Sequence, residues 1–379
     1  MKWLFFVKKT QKLIFLKKSL EFGHFLYTET NGDMGVLYFC FRNTCAKLYR
    51  GIICEKTLRK VGTVMSKITI IGSGSVGSTI AYTIAVCGIA SEIVMIDVNE
   101  AKSLGEALDI RQGTSFCPPI SVYAGSYRDA AGSDIVILTS GIARKPGQSR
   151  LDLAQTNVNI TKSIIPEITK YAPDAKYIIV SNPVDILTYV FHKRSGLKES
   201  QIIGSGTILD TARLRSRISE YYEINQKNVH AYVFGEHGDS SFVPWSVANI
   251  SNIPIDDFQG FLNDDTKGPF PPLDHEQIES YMRKSGGRII ERKGATFYAV
   301  AISVCHICRC ILGGIDTTLT VSGMMHGEYG VDDVCLSVLS IVGADGVTGK
   351  VLVPLTDEEK KALSHSADCL KEIINQLDI

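Results

Sequence analysis

The chain has 379 residues, of which 45% are hydrophobic and 21% charged, and its 40 basic and 40 acidic residues cancel. A chain of this length and composition is expected to be globular and to fold into two or three domains of about 150 residues each. Residues 1–64 hold 12 Lys and Arg against 4 Asp and Glu, so the remaining residues carry a net charge of −8. An acidic main body disfavours nucleic acid as a partner.

The cysteines and the apolar runs exclude two further classes of protein. Ten cysteines are scattered without the spacing of a disulfide framework, which indicates free thiols in a reducing compartment and predicts a cytoplasmic protein. The run Cys305-His-Ile-Cys-Arg-Cys310 lacks a second ligand pair with zinc-site spacing, so we predict no metal site. No apolar run reaches the roughly 18 residues of a membrane span, so no membrane contact is expected.

Residues 1–64 form an extension with three interpretations. Its short apolar patches between lysines resemble a targeting segment only loosely. The run Met65-Ser-Lys-Ile-Thr-Ile-Ile-Gly72 is how a dinucleotide-binding chain usually begins, so the extension is predicted to be unstructured or absent from the native protein. A targeting segment and a genuine additional element are the two alternatives.

A glycine pattern follows the first strand of the main body. Residues 67–71 predict a short buried strand, residues 79–86 continue as an apolar helix, and Gly72, Gly74 and Gly77 between them form G-x-G-x-x-G. Gly72 permits a tight turn, Gly74 lets the backbone approach a pyrophosphate, and Gly77 lets strand and helix pack closely. The free N–H groups at the helix start then bind the phosphates, which predicts a dinucleotide site.

The next strand supplies the acidic residue that such a site needs. Residues 92–96 end in Asp97, which lies 20 residues after Gly77. A carboxylate at this spacing binds the ribose hydroxyls of adenosine and repels a 2′-phosphate, so NAD is favoured over NADP. Strand and helix patterns alternate to about residue 190, which predicts an α/β fold with a doubly wound parallel sheet.

The second half has a different character. Strands are predicted at 229–234, 336–342 and 350–355, and helices around 210–215 and 288–312. A final helix is predicted from Asp357, with Thr356 as its N-cap and Glu359 completing a capping box. We therefore predict an NAD-binding domain at 65–208 and an α+β catalytic and substrate domain at 209–379.

Three residues of the second domain suit the oxidation of an alcohol by NAD. His237, in the run Gly235-Glu-His-Gly-Asp239, titrates near neutrality and has glycine neighbours that leave room for a ligand. Asp210 is the candidate to orient this base and to stabilise its cation. Arg213 lies three residues later on the same helical face and suits a substrate carboxylate through bidentate pairing.

Together these segments resemble the lactate/malate dehydrogenase family. The resemblance covers residues 67–379 and rests on the spacing of five motifs: Gly72-x-Gly-x-x-Gly77, Arg150-Leu-Asp-Leu153, Asn182-Pro-Val-Asp185, Asp210-Thr-Ala-Arg213 and Gly235-Glu-His-Gly-Asp239. It implies a Rossmann domain that binds NAD, reversible hydride transfer between a 2-hydroxy acid and a 2-oxo acid, and a homo-oligomer of two or four copies.

The resemblance also implies residue roles. His237 is the acid/base, Asp210 its partner and Arg213 the carboxylate clamp. Arg150 polarises the ketone electrostatically, Asn182 donates to the reacting oxygen, and Thr296 lines the pocket. Residues 140–145 belong to a lid. The NAD-binding set comprises Gly72, Gly74, Val76, Gly77, Asp97, Lys102, Tyr127, Ser140, Gly141, Val180, Asn182 and Ser205.

Arg144 makes the choice of substrate an open question. Six residues before the loop arginine, lactate enzymes of the family typically carry glutamine, and malate enzymes carry arginine, which pairs with the second carboxylate. A buried guanidinium facing the methyl group of pyruvate would lack a partner, which favours malate and oxaloacetate. Thr296 and the segments 182–185 and 206–213 are instead similar to bacterial lactate enzymes. We expect lactate and pyruvate, with malate and oxaloacetate as the alternative.

Two further hypotheses concern regulation and loss of activity. Arg215 and His230 match the positions where allosteric lactate enzymes bind fructose 1,6-bisphosphate at a subunit interface, and an ordinary surface pair is the alternative. A non-catalytic NAD-binding sensor would keep the fold and lose turnover. It predicts damage to the catalytic set, yet all its members are present in this sequence.

Overall fold

A computed structural model describes three strands within residues 1–64, and then residues 66–142, 149–263 and 270–379. The chain divides into two units, Met1–Val64 and Met65–Ile379. In the first unit, β1 (Leu13–Leu16), β2 (Phe25–Thr30) and β3 (Asp33–Tyr38) form an antiparallel sheet in that order. Whether residues 1–64 belong to the native protein stays a prediction.

One sheet of nine strands organises the second unit. Its parallel part has the spatial order β6, β5, β4, β7, β8, β9. These strands are β4 (Lys67–Ile71), β5 (Glu92–Ile96), β6 (Ser121–Ala124), β7 (Ile135–Leu138), β8 (Lys176–Ile179) and β9 (Ile202–Gly204). The connecting helices are α1 (Ser75–Cys87), α2 (Glu100–Gly113), α3 (Arg150–Tyr171) and α4 (Val184–Ser195). The predicted doubly wound sheet is confirmed.

Three antiparallel strands extend this sheet. They are β13 (Thr317–His326), β14 (Asp332–Gly343) and β15 (Gly346–Lys350), and β13 joins β9 through the pairing of Ser322 with Gly204. The sheet is therefore continuous across the predicted domain boundary at 208/209, and the two-domain division stays a prediction. A small antiparallel sheet contains β10 (Val229–His230), β11 (Asn249–Ile250) and β12 (Ile253–Pro254).

The remaining helices are α5 (Ile208–Tyr222), α6 (Phe258–Phe261), α7 (His275–Lys293), α8 (Tyr298–Gly313) and α9 (Asp357–Ile374). Thr356 and Glu359 form the predicted capping box at the start of α9. Within the described ranges, no helix is both long enough and apolar enough to cross a membrane.

The central strands are buried because helices cover both faces of the sheet. Ile68, Ile70, Ile135 and Ile137 are fully buried with α1 and α8 on one face. Val136 and Ile179 belong to a second core that contains residues of α3, α4 and α9. Continuous apolar strands of this kind are typical of a parallel sheet whose two faces are both covered.

Two predicted strands are wrong in extent. The segment 229–234 forms a strand only over Val229–His230, and Phe234 forms an isolated bridge to Phe242. Between them, side chains of α5 and of the residue before it satisfy the backbone groups of Val233. The N–H of Val233 donates to the Thr211 hydroxyl at 2.9 Å, and its carbonyl accepts from the Thr207 hydroxyl at 2.5 Å. The strand predicted at 350–355 instead ends at Lys350. Pro354 lacks an N–H group and cannot continue a ladder.

β13 was not among the predicted strands. Its interior holds Ser322 and Gly323, which lower the strand signal because neither side chain packs well on a pleated surface. The strand forms because it pairs along most of its length with the apolar β14. Tertiary pairing thus outweighs a weak local preference.

Candidate active site

The glycine turn lies between the carboxyl end of β4 and the start of α1. Gly72 has φ = +103°, and an ideal Cβ at Gly77 would lie 1.9 Å from the Gly72 carbonyl oxygen. These two positions therefore exclude a side chain. A Cβ at Gly74 would meet nothing within 4 Å, so Gly74 borders open space. The helix start at Gly74 has no side-chain cap, which leaves its first N–H groups available to a phosphate.

The acidic residue of the predicted nucleotide site lies beside this turn. Asp97 accepts hydrogen bonds from the Ser73 N–H at 2.6 Å and from the Asn99 N–H at 2.9 Å. The hydroxyl of Ser140 is buried without a hydrogen-bond partner in the described part of the chain. The open space at Gly74, the fixed carboxylate of Asp97 and the unpaired hydroxyl of Ser140 fit a dinucleotide, so these residues can hold NAD.

The other predicted cofactor residues fall on nearby elements. Val76 and Lys102 lie in the first turns of α1 and α2. The N–H groups of Val180 and Ser205 extend the parallel ladder by donating to the Leu138 and Ile179 carbonyls. Gly141 follows Ser140, and Tyr127 lies beyond β6 with a pKa raised chiefly by burial. Contact of each with NAD stays a prediction.

Asn157 is a site residue that the sequence analysis missed. It is 3% exposed on α3, accepts from the Ile142 N–H at 3.0 Å and donates to the Asn182 carbonyl at 2.7 Å. It thereby joins the segments that follow β7 and β8. Its only sequence signal was a polar residue on the apolar face of a helix. Asn182 itself precedes Pro183 in a cis peptide bond.

The carboxylate of Asp210 binds both the predicted acid/base, His237, and the predicted carboxylate clamp, Arg213. Its Oδ2 lies 2.5 Å from Nδ1 of His237, and its Oδ1 accepts from Nη1 of Arg213 at 2.8 Å. The Asp210 side chain is only 7% exposed, against 15% for Arg213 and 27% for His237. An ideal Cβ at Gly286 of α7 would lie 3.6 Å from Nη2 of Arg213, so the glycine leaves space beside the guanidinium.

The pKa values of this cluster follow from burial and charge. Burial alone would lower the pKa of His237, but the charge and hydrogen bond of Asp210 outweigh it and raise that pKa above its usual value. Burial would raise the pKa of Asp210, and His237 and Arg213 together hold it below its usual value. The pair therefore favours a carboxylate beside an imidazole that is readily protonated.

The loop that carries His237 is anchored from three sides. Gly235 exchanges both backbone hydrogen bonds with Ser337 of β14. Ser366 of α9 accepts from the Glu236 N–H at 2.8 Å, and Asp185 accepts from the His237 N–H at 2.7 Å. Gly235 has φ = +92°, and a Cβ there would lie 2.7 Å from the Ser366 hydroxyl, so glycine is required.

Arg150, the predicted polarising residue, begins α3 at the edge of the site. Its Nη1 donates to Asp239 at 3.0 Å, and both side chains are 81% exposed. Asp239 lies two residues after His237, so the contact brings Arg150 to the catalytic loop. Arg144 lies outside the described residues, as do residues 143 and 145 of the predicted lid at 140–145.

Thr296 and the pair of Arg215 and His230 are the remaining predicted site residues. Thr296 is in the connection between α7 and α8. Arg215 on α5 donates from Nε to the Ala231 carbonyl at 3.0 Å and stacks on Tyr232, so it reaches the residue next to His230. The Arg215 pKa is lowered by burial, and His230 is exposed. The roles of these groups stay predictions.

The cysteine-rich run belongs to the core. Cys305, Cys308 and Cys310 are buried on α8, and burial raises the pKa of the Cys305 thiol to about 12. Among the described residues, no three His, Cys, Asp or Glu side chains are grouped as metal ligands. These thiols pack as small apolar groups.

The family comparisons agree with this geometry. An open α/β sheet with such a glycine turn is the architecture of NAD-binding proteins. Residues 66–204 match the model described as lactate/malate dehydrogenase, NAD binding domain, and residues 207–378 match lactate/malate dehydrogenase, alpha/beta C-terminal domain. The chain belongs to the lactate/malate dehydrogenase family, as its motifs predicted.

Individual relatives cover the same portion of the chain. The L-lactate dehydrogenase of Acetivibrio thermocellus is 46% identical over 316 residues, which are 83% of this chain and 98% of that protein. L-lactate dehydrogenase 1 of Clostridium acetobutylicum is 45% identical over 82% of this chain and 98% of its own length. The ligand-bound structure of the minor L-lactate dehydrogenase of Enterococcus mundtii is 36% identical, with a TM-score of 0.78, and the match covers 83% and 99% of the two chains.

Alanine at Gly77 and at Gly74 should separate folding from nucleotide binding. Gly77→Ala should lower the free energy of unfolding in urea by about 3 kcal/mol or more, because its Cβ overlaps the Gly72 carbonyl. Gly74→Ala should keep the wild-type stability, because its φ of −73° suits alanine and the space is open. In a fluorescence titration it should bind NADH about tenfold more weakly. Unchanged NADH affinity in Gly74→Ala would contradict the pyrophosphate position.

Proposed function

We propose that the protein is an L-lactate dehydrogenase, which catalyses reversible NAD-dependent hydride transfer between (S)-lactate and pyruvate. The observation that carries the proposal is Asp210, whose two oxygens bind the imidazole of His237 and the guanidinium of Arg213. One carboxylate thus aligns a proton-transfer group with a group suited to a substrate carboxylate. This pair and the glycine turn belong to one α/β unit.

The relatives support lactate as the substrate. The curated proteins that this chain matches at 45–46% identity are named L-lactate dehydrogenase. Malate, the alternative that Arg144 suggested, is therefore not favoured. The non-catalytic sensor is disfavoured as well, because the described catalytic side chains His237, Asp210 and Arg213 form one hydrogen-bonded cluster. A cytoplasmic location stays a prediction.

His237 serves as acid and base in this mechanism. Its Nδ1–H donates to Asp210, so Nε2 is the nitrogen that exchanges a proton with the substrate oxygen. In lactate oxidation, neutral Nε2 removes the hydroxyl proton while Asp210 stabilises the resulting imidazolium. In pyruvate reduction the imidazolium returns that proton to the ketone oxygen. When bound, NAD supplies the nicotinamide ring that accepts or donates the hydride.

The other residues hold the substrate and stabilise charge. Arg213 grips the carboxylate of lactate or pyruvate, for which its planar guanidinium is suited. Arg150 leaves its exposed pairing with Asp239 and stabilises negative charge that develops on the ketone oxygen. Asn182 donates to the same oxygen, and Thr296 lines the pocket. Exposed ion pairs contribute little stability, so the Arg150 contact is easily exchanged.

Steady-state kinetics with NADH test the function directly. The kcat/KM for pyruvate should exceed that for oxaloacetate at least tenfold, a difference of about 1.4 kcal/mol in the barrier. His237→Asn should lower kcat about 100-fold or more and leave NADH binding intact, whereas His326→Asn on the exposed end of β13 should behave as wild type. Tenfold preference for oxaloacetate would reverse the assignment. Arg144→Gln should further favour pyruvate if Arg144 reads the substrate side chain.

The protein is also proposed to be a homo-oligomer, a dimer or tetramer. Tyr82 and Val86 of α1 and Tyr298 and Ile302 of α8 are each between 47% and 64% exposed. Each pair has the i, i+4 spacing that presents one helical face, and α1 packs against α8. Exposed apolar side chains on adjoining helices are typical of a surface that a second copy covers.

Light scattering after size-exclusion chromatography tests this surface. Wild-type protein should elute as a dimer or tetramer, and Ile302→Asp should shift it towards the monomer because a charge would be buried in the contact. Leu352→Asp introduces the same charge at a side chain that is 57% exposed and lies outside α1 and α8, and it should leave the mass unchanged. A monomeric wild type would contradict the proposal.

Fructose 1,6-bisphosphate is retained as a proposed effector at Arg215 and His230. Support comes from Arg215, which lies against Ala231 and Tyr232 beside the exposed His230. The effector should lower the half-saturating pyruvate concentration of the wild type and act less on Arg215→Gln. Arg217→Gln, which alters an exposed arginine of the same helix, is the matched control. An unchanged half-saturation point in the wild type would remove the effector hypothesis.

A further inference from the structure

A second buried carboxylate lies behind the catalytic loop. Asp185 occupies the first turn of α4 and is 3% exposed. Its Oδ2 accepts the main-chain N–H of His237 at 2.7 Å. Its Oδ1 is buried, and so is the hydroxyl of Ser322 on β13, which faces it. Asp185 has no part in the proton transfer proposed for His237 or in the substrate binding proposed for Arg213.

The groups around Asp185 come from two strands and the catalytic loop. Ser322 approaches from β13, Cys335 from β14, and Glu236 and His237 from the catalytic loop. Asp210 and Arg213 of α5 reach His237 from its other side. Burial raises the pKa of Asp185 to about 6, although Ser322, the His237 N–H and the imidazole charge oppose the rise. The carboxylate therefore takes up a proton closer to neutral pH than an ordinary aspartate does.

A carboxylate at this position costs more free energy of desolvation than a neutral side chain would. The main-chain N–H of His237 needs only an acceptor, and the carbonyl of an asparagine side chain would serve. A charge that is buried in this way carries a large desolvation cost. What the negative charge adds is attraction for a cation, and the nearest titrating cation is His237, whose pKa it raises.

We propose that Asp185 is a positioning residue that sets both the place and the charge of His237. Its carboxylate fixes the catalytic loop through the His237 N–H. Together with Asp210 it also stabilises the imidazolium that donates a proton to pyruvate. This inference rests on the proposed function for its kinetic readout, whereas its spectroscopic readout needs no turnover.

The negative charge of Asp185 predicts the direction in which the pH dependence of pyruvate reduction should shift when that charge is removed. Pyruvate reduction needs protonated His237, so kcat/KM for pyruvate falls as the pH rises through the pKa of His237. Asp185→Asn keeps an oxygen acceptor for the N–H and removes the charge, so this pKa should fall. In a plot of kcat/KM for pyruvate against pH, the part where the value falls is the descending limb. This limb should move by about one pH unit towards lower pH.

Three comparisons isolate the effect of the charge. Asp210→Asn should move the limb in the same direction, because Asp210 contacts the imidazole directly. Asp134→Asn is the matched control, since Asp134 also accepts a main-chain N–H, that of Lys67 at 2.9 Å, at the start of β7. It should leave the limb unchanged. Asp185→Ala removes acceptor and charge together and should lower kcat beyond Asp185→Asn.

A titration of the wild type covers the case in which Asp185→Asn does not fold. The imidazole ¹⁵N signals of His237, assigned by their loss in His237→Asn, should show two inflections, one near pH 6 from Asp185 and one at the higher pKa of His237. This readout needs no turnover, so it distinguishes failure of the inference from failure of the lactate assignment. A single inflection, or an unmoved pH limb in folded Asp185→Asn, would overturn the proposal.

Discussion

The site depends on the buried carboxylate of Asp210. A lone charge at 7% exposure would be strongly destabilised, and the imidazole and guanidinium that it binds would repel each other without it. Each of its oxygens instead binds a group that is a cation or can become one, Arg213 at 2.8 Å and His237 at 2.5 Å. Charge-assisted hydrogen bonds of this kind offset the desolvation cost and fix direction as well as distance. Proton transfer and substrate binding are therefore aligned by one group.

The fold supplies the rigidity that this arrangement requires. His237 lies on a loop, and a loop without support would let the imidazole rotate away from its partner. Ser337 of β14, Ser366 of α9 and Asp185 of α4 hold three consecutive residues of that loop through their backbone groups. The antiparallel strands that extend the parallel sheet thus have a functional consequence, because they bring β14 against the catalytic loop.

Much of this could be predicted from the sequence because the signals are local. The turn at Gly72, the carboxylate of Asp97 and the capping box at Thr356 each depend on residues close together in the chain, and spacing alone identifies them. The relation of Asp210 to Arg213 is a helical i, i+3 spacing. Their partner His237 is 27 residues from Asp210, and its pairing was predicted only because chemistry requires a carboxylate beside the base.

The sequence could not supply the contacts that depend on distant strands. β13 has a weak local signal and forms because β14 pairs with it, and its Ser322 then faces Asp185. Asp185 was recognised as part of a motif but had no role, because its surroundings come from segments far apart in the chain. Ser322 of β13 and the His237 N–H meet it only in the folded protein. The charge of such a residue is a property of its surroundings. A buried carboxylate is retained at a cost in free energy, and the adjacent imidazolium is the physical reason to retain it.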